Sequence, residues 1–172
     1  VALVMDLALS GEAQAELYID SQPCGYISST TRSAFFNGKL FIGMRNADSI
    51  GFEGALDDIR ITARALRANE FLKRPTTALP PVIAYYPFNN RNPLEDVSGN
   101  GYSLANAGVT FNTTIASAVF DGTQSVFSTI DALQLSSYEG LTVECFAKFS
   151  TTNQMMLLET SSWAEETPGS LY

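Results

Sequence analysis

The stretch Phe52-Glu53-Gly54-Ala55-Leu56-Asp57-Asp58-Ile59-Arg60-Ile61 decides the fold class of this chain. Apolar side chains occupy roughly every second position in it, which is typical of a β-strand with one buried face. Turn-forming residues separate further short apolar runs along the whole chain, so the strand at 52–61 is one of many.

Short strands are predicted at residues 1–7, 14–20, 39–44, 82–88, 109–111, 118–120, 126–130, 141–149 and 155–159. The first two are expected to form a hairpin, and Asn37-Gly38 is a second hairpin-turn signal. Residues 65–72 have the spacing of one short helix. Many short strands with almost no helix predict an all-β protein, an antiparallel β-sandwich or jelly roll.

The composition excludes several functions. Charged residues make up 16% of the 172-residue chain, and the net charge of -8 disfavours nucleic acid and anionic membranes as partners. No run of about 18 apolar residues occurs, so no membrane insertion is expected. The absence of histidine removes the usual general base and the Ser-His-Asp triad. A surface rich in uncharged polar residues predicts an extracellular or cell-surface protein.

A change in composition predicts two segments. Residues 75–81 (P-T-T-A-L-P-P) carry three prolines and no periodicity, which is typical of a linker. It separates residues 1–74 from residues 82–172. The opening Val1-Ala2-Leu3-Val4-Met5 has the character of a strand interior, so we expect the chain to belong to a longer protein.

The order of several motifs resembles the laminin-G-like family of concanavalin A-like jelly rolls. The motifs that resemble its closing segment are Leu40-Phe41-Ile42-Gly43, the strand at 52–61, and Arg64-Ala65-Leu66 with Glu70. Those that resemble its opening segment are Ala84-Tyr85-Tyr86-Pro87-Phe88, Asp96-Val97-Ser98-Gly99-Asn100-Gly101, Ala118-Val119-Phe120-Asp121-Gly122, and the strand at 141–148.

The closing half precedes the opening half, which is the reverse of the family's order. Three arrangements explain this: parts of two tandem modules, one circularly permuted sandwich, or halves completed by neighbouring molecules. All three stay open at this point.

The resemblance implies a structural Ca²⁺ ion. Its ligands would be Asp96, Ser98 and Asn100 in the loop, with Asp57 or Asp58 in the strand, since Ca²⁺ takes six to eight oxygen ligands. The alternative is a loop closed by Asp96 through an Asx-turn, without metal. Asp57 and Asp58 are not expected to act as a catalytic pair, because adjacent strand residues point to opposite faces.

Three further features are candidates for function. Trp163 and Tyr102 are predicted ligand contacts, because an aromatic ring combines an apolar face with a polar tip. Asn112-Thr113-Thr114 is a sequon for N-linked glycosylation at Asn112. Cys24 and Cys145 lie too far apart in sequence for their spacing to decide between a disulfide and two free thiols.

Together these patterns predict a non-enzymatic recognition or adhesion module of a repeat-containing surface or secreted protein. Its expected partners are a glycan or an extracellular protein, and neighbouring modules or copies of the same protein. The alternative is a structural subunit of a surface filament, and a glycoside hydrolase accessory domain is the less favoured third.

Overall fold

The computed structural model describes residues 1–9, 15–26, 35, 37–44, 50–71, 81–89, 91–151 and 155–160. Its strands are β1 (Ala2–Asp6), β2 (Ala15–Ile19), β3 (Gln22–Tyr26), β4 (Leu40–Ile42), β5 (Glu53–Thr62), β6 (Val82–Tyr86), β7 (Leu104–Ala107), β8 (Thr110–Asn112), β9 (Ser117–Asp121), β10 (Val126–Thr129), β11 (Gly140–Phe149) and β12 (Leu158–Thr160).

The strands form two antiparallel sheets. The large sheet has the order β3-β2-β1-β11-β5-β9-β8, with β6 also paired to β5, and the small sheet has the order β12-β4-β10-β7. Strands β5 and β11 pair along almost their whole length. The other edge of β5 is shared, because β9 pairs with its first residues and β6 with its last. The prediction of an all-β antiparallel sandwich is confirmed.

Strands from before and after the proline-rich stretch pair with each other in both sheets. In the large sheet β1 and β5 pair with β11, and in the small sheet β4 pairs with β10 and β12. Strand pairing does not identify a family, so the division into two half-modules at 1–74 and 82–172 stays a prediction. Residues 75–80 of the predicted linker lie outside the described residues.

The main core lies between the two sheets. Both sheets contribute buried side chains to it, among them Leu40, Ile42, Leu104 and Phe127 from the small sheet, and Leu56, Ile59, Ile61, Phe120, Leu141 and Val143 from the large one. The ring of Phe127 stacks on Phe88 at 5.6 Å and on Phe111 at 5.9 Å between centroids. Burial of each such side chain is worth about 1.5–3 kcal/mol, so this core holds the sandwich together.

A second apolar layer covers the outer face of the large sheet, the face opposite the small sheet. In β1, Leu3 and Met5 pack with the main core, whereas Ala2 and Val4 pack with Leu66 and Phe71. This is the side-chain alternation of a strand that is covered on both faces. The covering segment is residues 64–71.

The short helix predicted at 65–72 is reduced to one 3-10 turn at Ala68–Glu70. The flanking residues Arg67 and Phe71 have extended backbone conformations, which stop the turn from lengthening. The Glu70 carboxylate accepts a hydrogen bond from the Arg67 backbone N–H at 2.9 Å and closes this single turn.

Each predicted strand has a counterpart in the structure, including the β1–β2 hairpin, with ends shifted by a few residues. Two further strands were missed. Strand β3 contains Pro23 and Gly25, which are tolerated because β3 is an edge strand. Strand β7 (L-A-N-A) contains no β-branched or aromatic residue, so nothing in its composition marks it as a strand. Gly38 pairs with Leu133, while residues 27–34 before the predicted Asn37-Gly38 turn lie outside the described residues.

Candidate functional site on the outer face of the large sheet

A buried ion pair lies at the centre of the outer face. Arg60 of β5 and Glu144 of β11 are register partners, with side-chain exposures of 1% and 2%. Arg60 donates to Glu144 Oε2 from Nε at 2.8 Å and from Nη2 at 2.5 Å. Nη2 also donates to the carbonyl oxygen of Glu70 at 3.3 Å. The pair therefore joins two central strands to the covering segment.

Two further contacts fasten the covering segment to the sheet. The Thr142 hydroxyl accepts from the Leu66 backbone N–H at 2.9 Å and donates to the Arg64 carbonyl at 2.9 Å. Arg64 also forms an ion pair with Glu70, with 2.7 Å between Nη2 and Oε1. The hydrogen bond from Arg64, followed by that from the Arg67 backbone, lowers the pKa of Glu70 to about 2. Glu70 therefore stays ionised at neutral pH.

A cleft of about 80 Å³, here called the outer cleft, opens on this face beside the ion pair. Its lining residues come from β1, β2, the β2–β3 turn, β11 and the covering segment: Val1, Ala2, Tyr18, Asp20, Ser21, Phe71, Glu144, Cys145 and Phe146. The rings of Tyr18 and Phe71 meet edge to face, 4.9 Å apart and at 72°. Aromatic surface and hydrogen-bonding groups therefore meet in one concavity, as they do in small ligand sites.

The Tyr18 phenol is held in place by Glu16. It donates a hydrogen bond to Glu16 Oε2 at 2.5 Å. This hydrogen bond, followed by burial, raises the pKa of Tyr18 to about 12. The phenol is neutral at physiological pH, so Tyr18 offers the cleft an uncharged aromatic ring.

The predicted metal ligands Asp57 and Asp58 lie in β5 at a bulge. Asp58 has a positive φ of 52°, and the pairing with β11 shifts register next to it. Simple strand alternation does not hold here, and both residues are buried. Asp58 Oδ1 accepts from the Tyr85 hydroxyl at 2.7 Å. Burial and this hydrogen bond raise the pKa of Tyr85.

The predicted ligand Asp96 closes its own loop. Its Oδ1 accepts from the backbone N–H groups of Tyr85 at 3.0 Å and Ser98 at 2.9 Å. Its Oδ2 accepts from the Ser98 hydroxyl at 2.9 Å and from the Tyr102 N–H at 3.0 Å. Asn100 Nδ2 donates to the carbonyl of Val82 at 2.8 Å. This is the Asx-turn arrangement weighed as the alternative to a metal.

Tyr85 connects the two predicted metal regions, through its hydroxyl to Asp58 and through its backbone N–H to Asp96. Among the described residues, no three His, Cys, Asp or Glu side chains are grouped so that they could hold a metal ion. Both oxygens of Asp96 already accept hydrogen bonds from the chain. The Ca²⁺ site therefore stays a prediction.

The other predicted residues lie apart from the outer cleft. Tyr102 packs at the edge of the main core, and its carbonyl accepts from the Tyr86 hydroxyl at 2.5 Å. Asn112 is exposed at the end of β8. Trp163 lies outside the described residues.

The two cysteines are separate free thiols. Cys145 is buried in β11, and Cys24 is exposed in β3. Burial raises the pKa of the Cys145 thiol to about 11. Cys24 is the extra residue of a bulge, because Leu17 and Tyr18 of β2 oppose Gly25 and Pro23.

Sequence reasoning missed the ion pair and the cleft. The signal for the pair is a charged residue with apolar neighbours on both sides in each of two long strands: Arg60 lies between Ile59 and Ile61, and Glu144 lies between Val143 and Cys145. A charge at such a position needs a partner when both faces of the strand are covered. The cleft residues Asp20, Ser21 and Phe71 carry no comparable signal, since they meet only through the fold.

No protein-family model, curated protein or solved structure matches this chain. The resemblance to the laminin-G-like family therefore stays a prediction. Among the described residues, no helix is long and apolar enough to cross a membrane.

Proposed function

We propose that this chain is a non-catalytic recognition module that presents the outer face of its large sheet to a carbohydrate or a protein in the extracellular space. The outer cleft carries this proposal, because aromatic rings and hydrogen-bonding groups converge there. Tyr18 and Phe71 supply apolar surface, and Asp20 and Ser21 supply acceptors. Such a lining suits a group that has both apolar C–H surface and polar hydrogens.

Rigidity supports binding at this place. The cleft walls belong to β1, β2 and β11, and Phe71 is held against the sheet by the contacts of the covering segment. A site that is ordered before the ligand arrives loses less conformational entropy on binding. The mechanism is therefore passive display from a fixed sheet.

The size of the cleft limits what enters it. A cavity of roughly 150 Å³ accommodates a benzene ring, and the outer cleft measures about 80 Å³. One substituent of a sugar, or the end of one protein side chain, would enter, while the rest of the ligand lies across the surrounding surface. We expect weak binding per site, and avidity from repeated modules in a longer surface protein.

The test is binding of the chain to a broad glycan array and to a panel of extracellular-matrix proteins, each with millimolar Ca²⁺ and with EDTA. Asp20→Asn is the site variant, since asparagine tolerates the positive φ of 50° found there. Asp131→Asn is the matched control, because it makes the same charge change at an exposed residue outside the cleft lining.

We expect Asp20→Asn to weaken binding several-fold and Asp131→Asn to leave it unchanged. Equal effects of the two variants would show that the binding site does not lie in the outer cleft. Binding that is lost in EDTA would support the predicted structural Ca²⁺. Absence of binding to every glycan and every matrix protein would contradict the proposal.

The second candidate function is a structural subunit of a surface filament, in which the β3 edge of the large sheet would contact another copy. Ile19 and Tyr26 in β2 and β3 are 47% and 58% exposed. Two features of β3 oppose edge-to-edge assembly, namely Pro23 and the bulge at Cys24. Sedimentation equilibrium at tens of micromolar, on the chain secreted from eukaryotic cells, tests this candidate. A monomer contradicts assembly by this chain alone, and growth of the species with concentration favours it.

A further inference from the structure

The side chain of Asn112 takes part in hydrogen bonds through its oxygen. Its Oδ1 accepts from the backbone N–H groups of Thr114 at 3.0 Å and Ile115 at 3.3 Å. By contrast, three other asparagines donate through Nδ2: Asn37 to Ser136 at 2.9 Å, Asn100 to Val82 at 2.8 Å and Asn106 to Val109 at 2.9 Å. Modification of those nitrogens would break a hydrogen bond, whereas the bonds recorded for Asn112 use its oxygen only.

The surroundings of Asn112 are open. The residue is exposed, and so are Thr113, Thr114 and Ile115 in the turn that follows it. Asn112-Thr113-Thr114 is also the only N-x-S/T tripeptide with a non-proline centre in the 172 residues. The one asparagine that satisfies the sequon is therefore one whose Nδ2 could carry a bulky group without disturbing the recorded contacts.

We propose that Asn112 Nδ2 carries an N-linked glycan and that this glycan shields the β8 edge of the large sheet. The inference rests on the proposed extracellular function, since the modification requires passage through a secretory pathway. The co-reactant is an oligosaccharide activated as a lipid diphosphate. A bond forms between Nδ2 and the anomeric carbon, the bond from that carbon to phosphate breaks, Nδ2 loses one proton, and the lipid diphosphate leaves.

The shielding role follows from the position of β8. Within the described part of the chain, β8 is the last strand of the large sheet and pairs only with β9. Just beyond it, Ile115 is 55% exposed. An open strand edge beside an exposed apolar side chain invites pairing with another molecule. A glycan is bulky and strongly hydrated, so one at Asn112 would obstruct this edge.

The experiment is secretion of the whole chain from eukaryotic cells, followed by intact-mass measurement before and after enzymatic removal of N-glycans. Thr114→Ala destroys the sequon while Asn112 remains. Thr113→Ala is the matched control, because it makes the same side-chain change and keeps the sequon. We expect a glycan mass on wild type and on Thr113→Ala and none on Thr114→Ala. A secreted wild-type chain of unmodified mass would overturn the inference.

Hydrogen exchange tests the shielding. The protection of the β8 amides from exchange is measured at several protein concentrations, for glycosylated wild type and for Thr114→Ala. We expect the unglycosylated form to self-associate and to gain protection at β8, and the glycosylated form to stay monomeric. Identical behaviour would refute the shielding role. A secreted, unmodified chain that binds a glycan of the array or a matrix protein of the panel refutes this inference alone. A modified chain that binds neither set of probes refutes only the proposed function.

Discussion

Arg60 and Glu144 lie directly opposite each other on β5 and β11, and the guanidinium donates to one carboxylate oxygen through both Nε and Nη2. The pair is nearly inaccessible to water. Its third contact, from Arg60 to the Glu70 carbonyl, ties the covering segment to the sheet. The geometry of the outer cleft therefore depends on the ion pair beside it, of which Glu144 is a lining residue.

Replacing Arg60 with methionine should strongly destabilise the protein. The substitution keeps much of the apolar stem but deprives the buried Glu144 carboxylate of its charged partner, which costs about 3–5 kcal/mol in comparable pairs. The free energy of unfolding in urea measures the loss. Arg64→Met is the control, because the Arg64–Glu70 pair is partly exposed, with 40% and 34% of its side chains accessible, and solvent screens it. Similar losses in the two variants would contradict this account.

Asp96→Ala should destabilise the loop that joins β6 to β7. The substitution removes the acceptor of four hydrogen bonds and leaves partly buried N–H groups without a partner. Each such group costs about 1–3 kcal/mol. Glu95→Ala removes the same charge from the exposed neighbouring position and should change the urea midpoint little. The hypothesis fails if both variants unfold at the wild-type midpoint.

Acid should lower the stability of the protein, in part because the Asp121 carboxylate becomes protonated. Hydrogen bonds from the backbone N–H groups of Gln124 and Thr123, with those of Ser125, hold the pKa of Asp121 well below its usual range. A carboxylate whose pKa is lower in the folded state than in the unfolded state stabilises the folded protein. This stabilisation is complete above the unfolded-state pKa, about 4, and is lost as the pH falls from there through the folded-state pKa.

Urea midpoints between pH 7 and pH 2 test this. Asp121→Asn keeps an acceptor oxygen but cannot titrate, so its stability should fall less below pH 4 than that of wild type. A wild-type curve that parallels the variant would assign the acid sensitivity to other carboxylates.

Gly43→Ala should disrupt the contact between the two sheets. Gly43 has a φ of 89°, and a Cβ there would overlap the ring of Phe120. Positive φ costs about 1–2 kcal/mol for alanine, and overpacking adds about 1–3 kcal/mol. Gly99→Ala is the matched control, because Gly99 has a φ of 92° but nothing within 4 Å of its Cβ position. Thermal unfolding should therefore shift much further for Gly43→Ala, and equal shifts would rule out the overlap.

Only Cys24 should react with a thiol reagent in the folded protein. Cys24 is exposed, whereas Cys145 is buried and its pKa is raised to about 11, so little thiolate forms. Mass spectrometry after brief labelling at pH 7.5 should find one label on native protein, at Cys24, and two after denaturation. Rapid native labelling of Cys145 would show that β11 opens readily.

The strands were predictable wherever local composition is decisive. The long strands β5 and β11 alternate apolar and polar residues strongly enough to be recognised alone, and β1 and β2 were recognised as a hairpin. The length of the helix predicted at 65–72 was overestimated. The backbone is extended at Arg67 and at Phe71, so only one turn fits between them. The free state of the thiols could not be decided, since it depends on the distance between Cys24 and Cys145 in the fold.

The fold class could be predicted from the residue pattern alone, because side-chain alternation and turn residues act over a few neighbouring positions. The sequence also marked Asn112 as a sequon and excluded the histidine-dependent catalytic sites. Three relations depend on the folded chain. Arg60 pairs with Glu144, and the carboxylate of Asp96 accepts hydrogen bonds from its own loop. Tyr18, Asp20 and Phe71 line one cleft. Those relations join residues tens of positions apart, and they are set by strand register and sheet packing rather than by local preference.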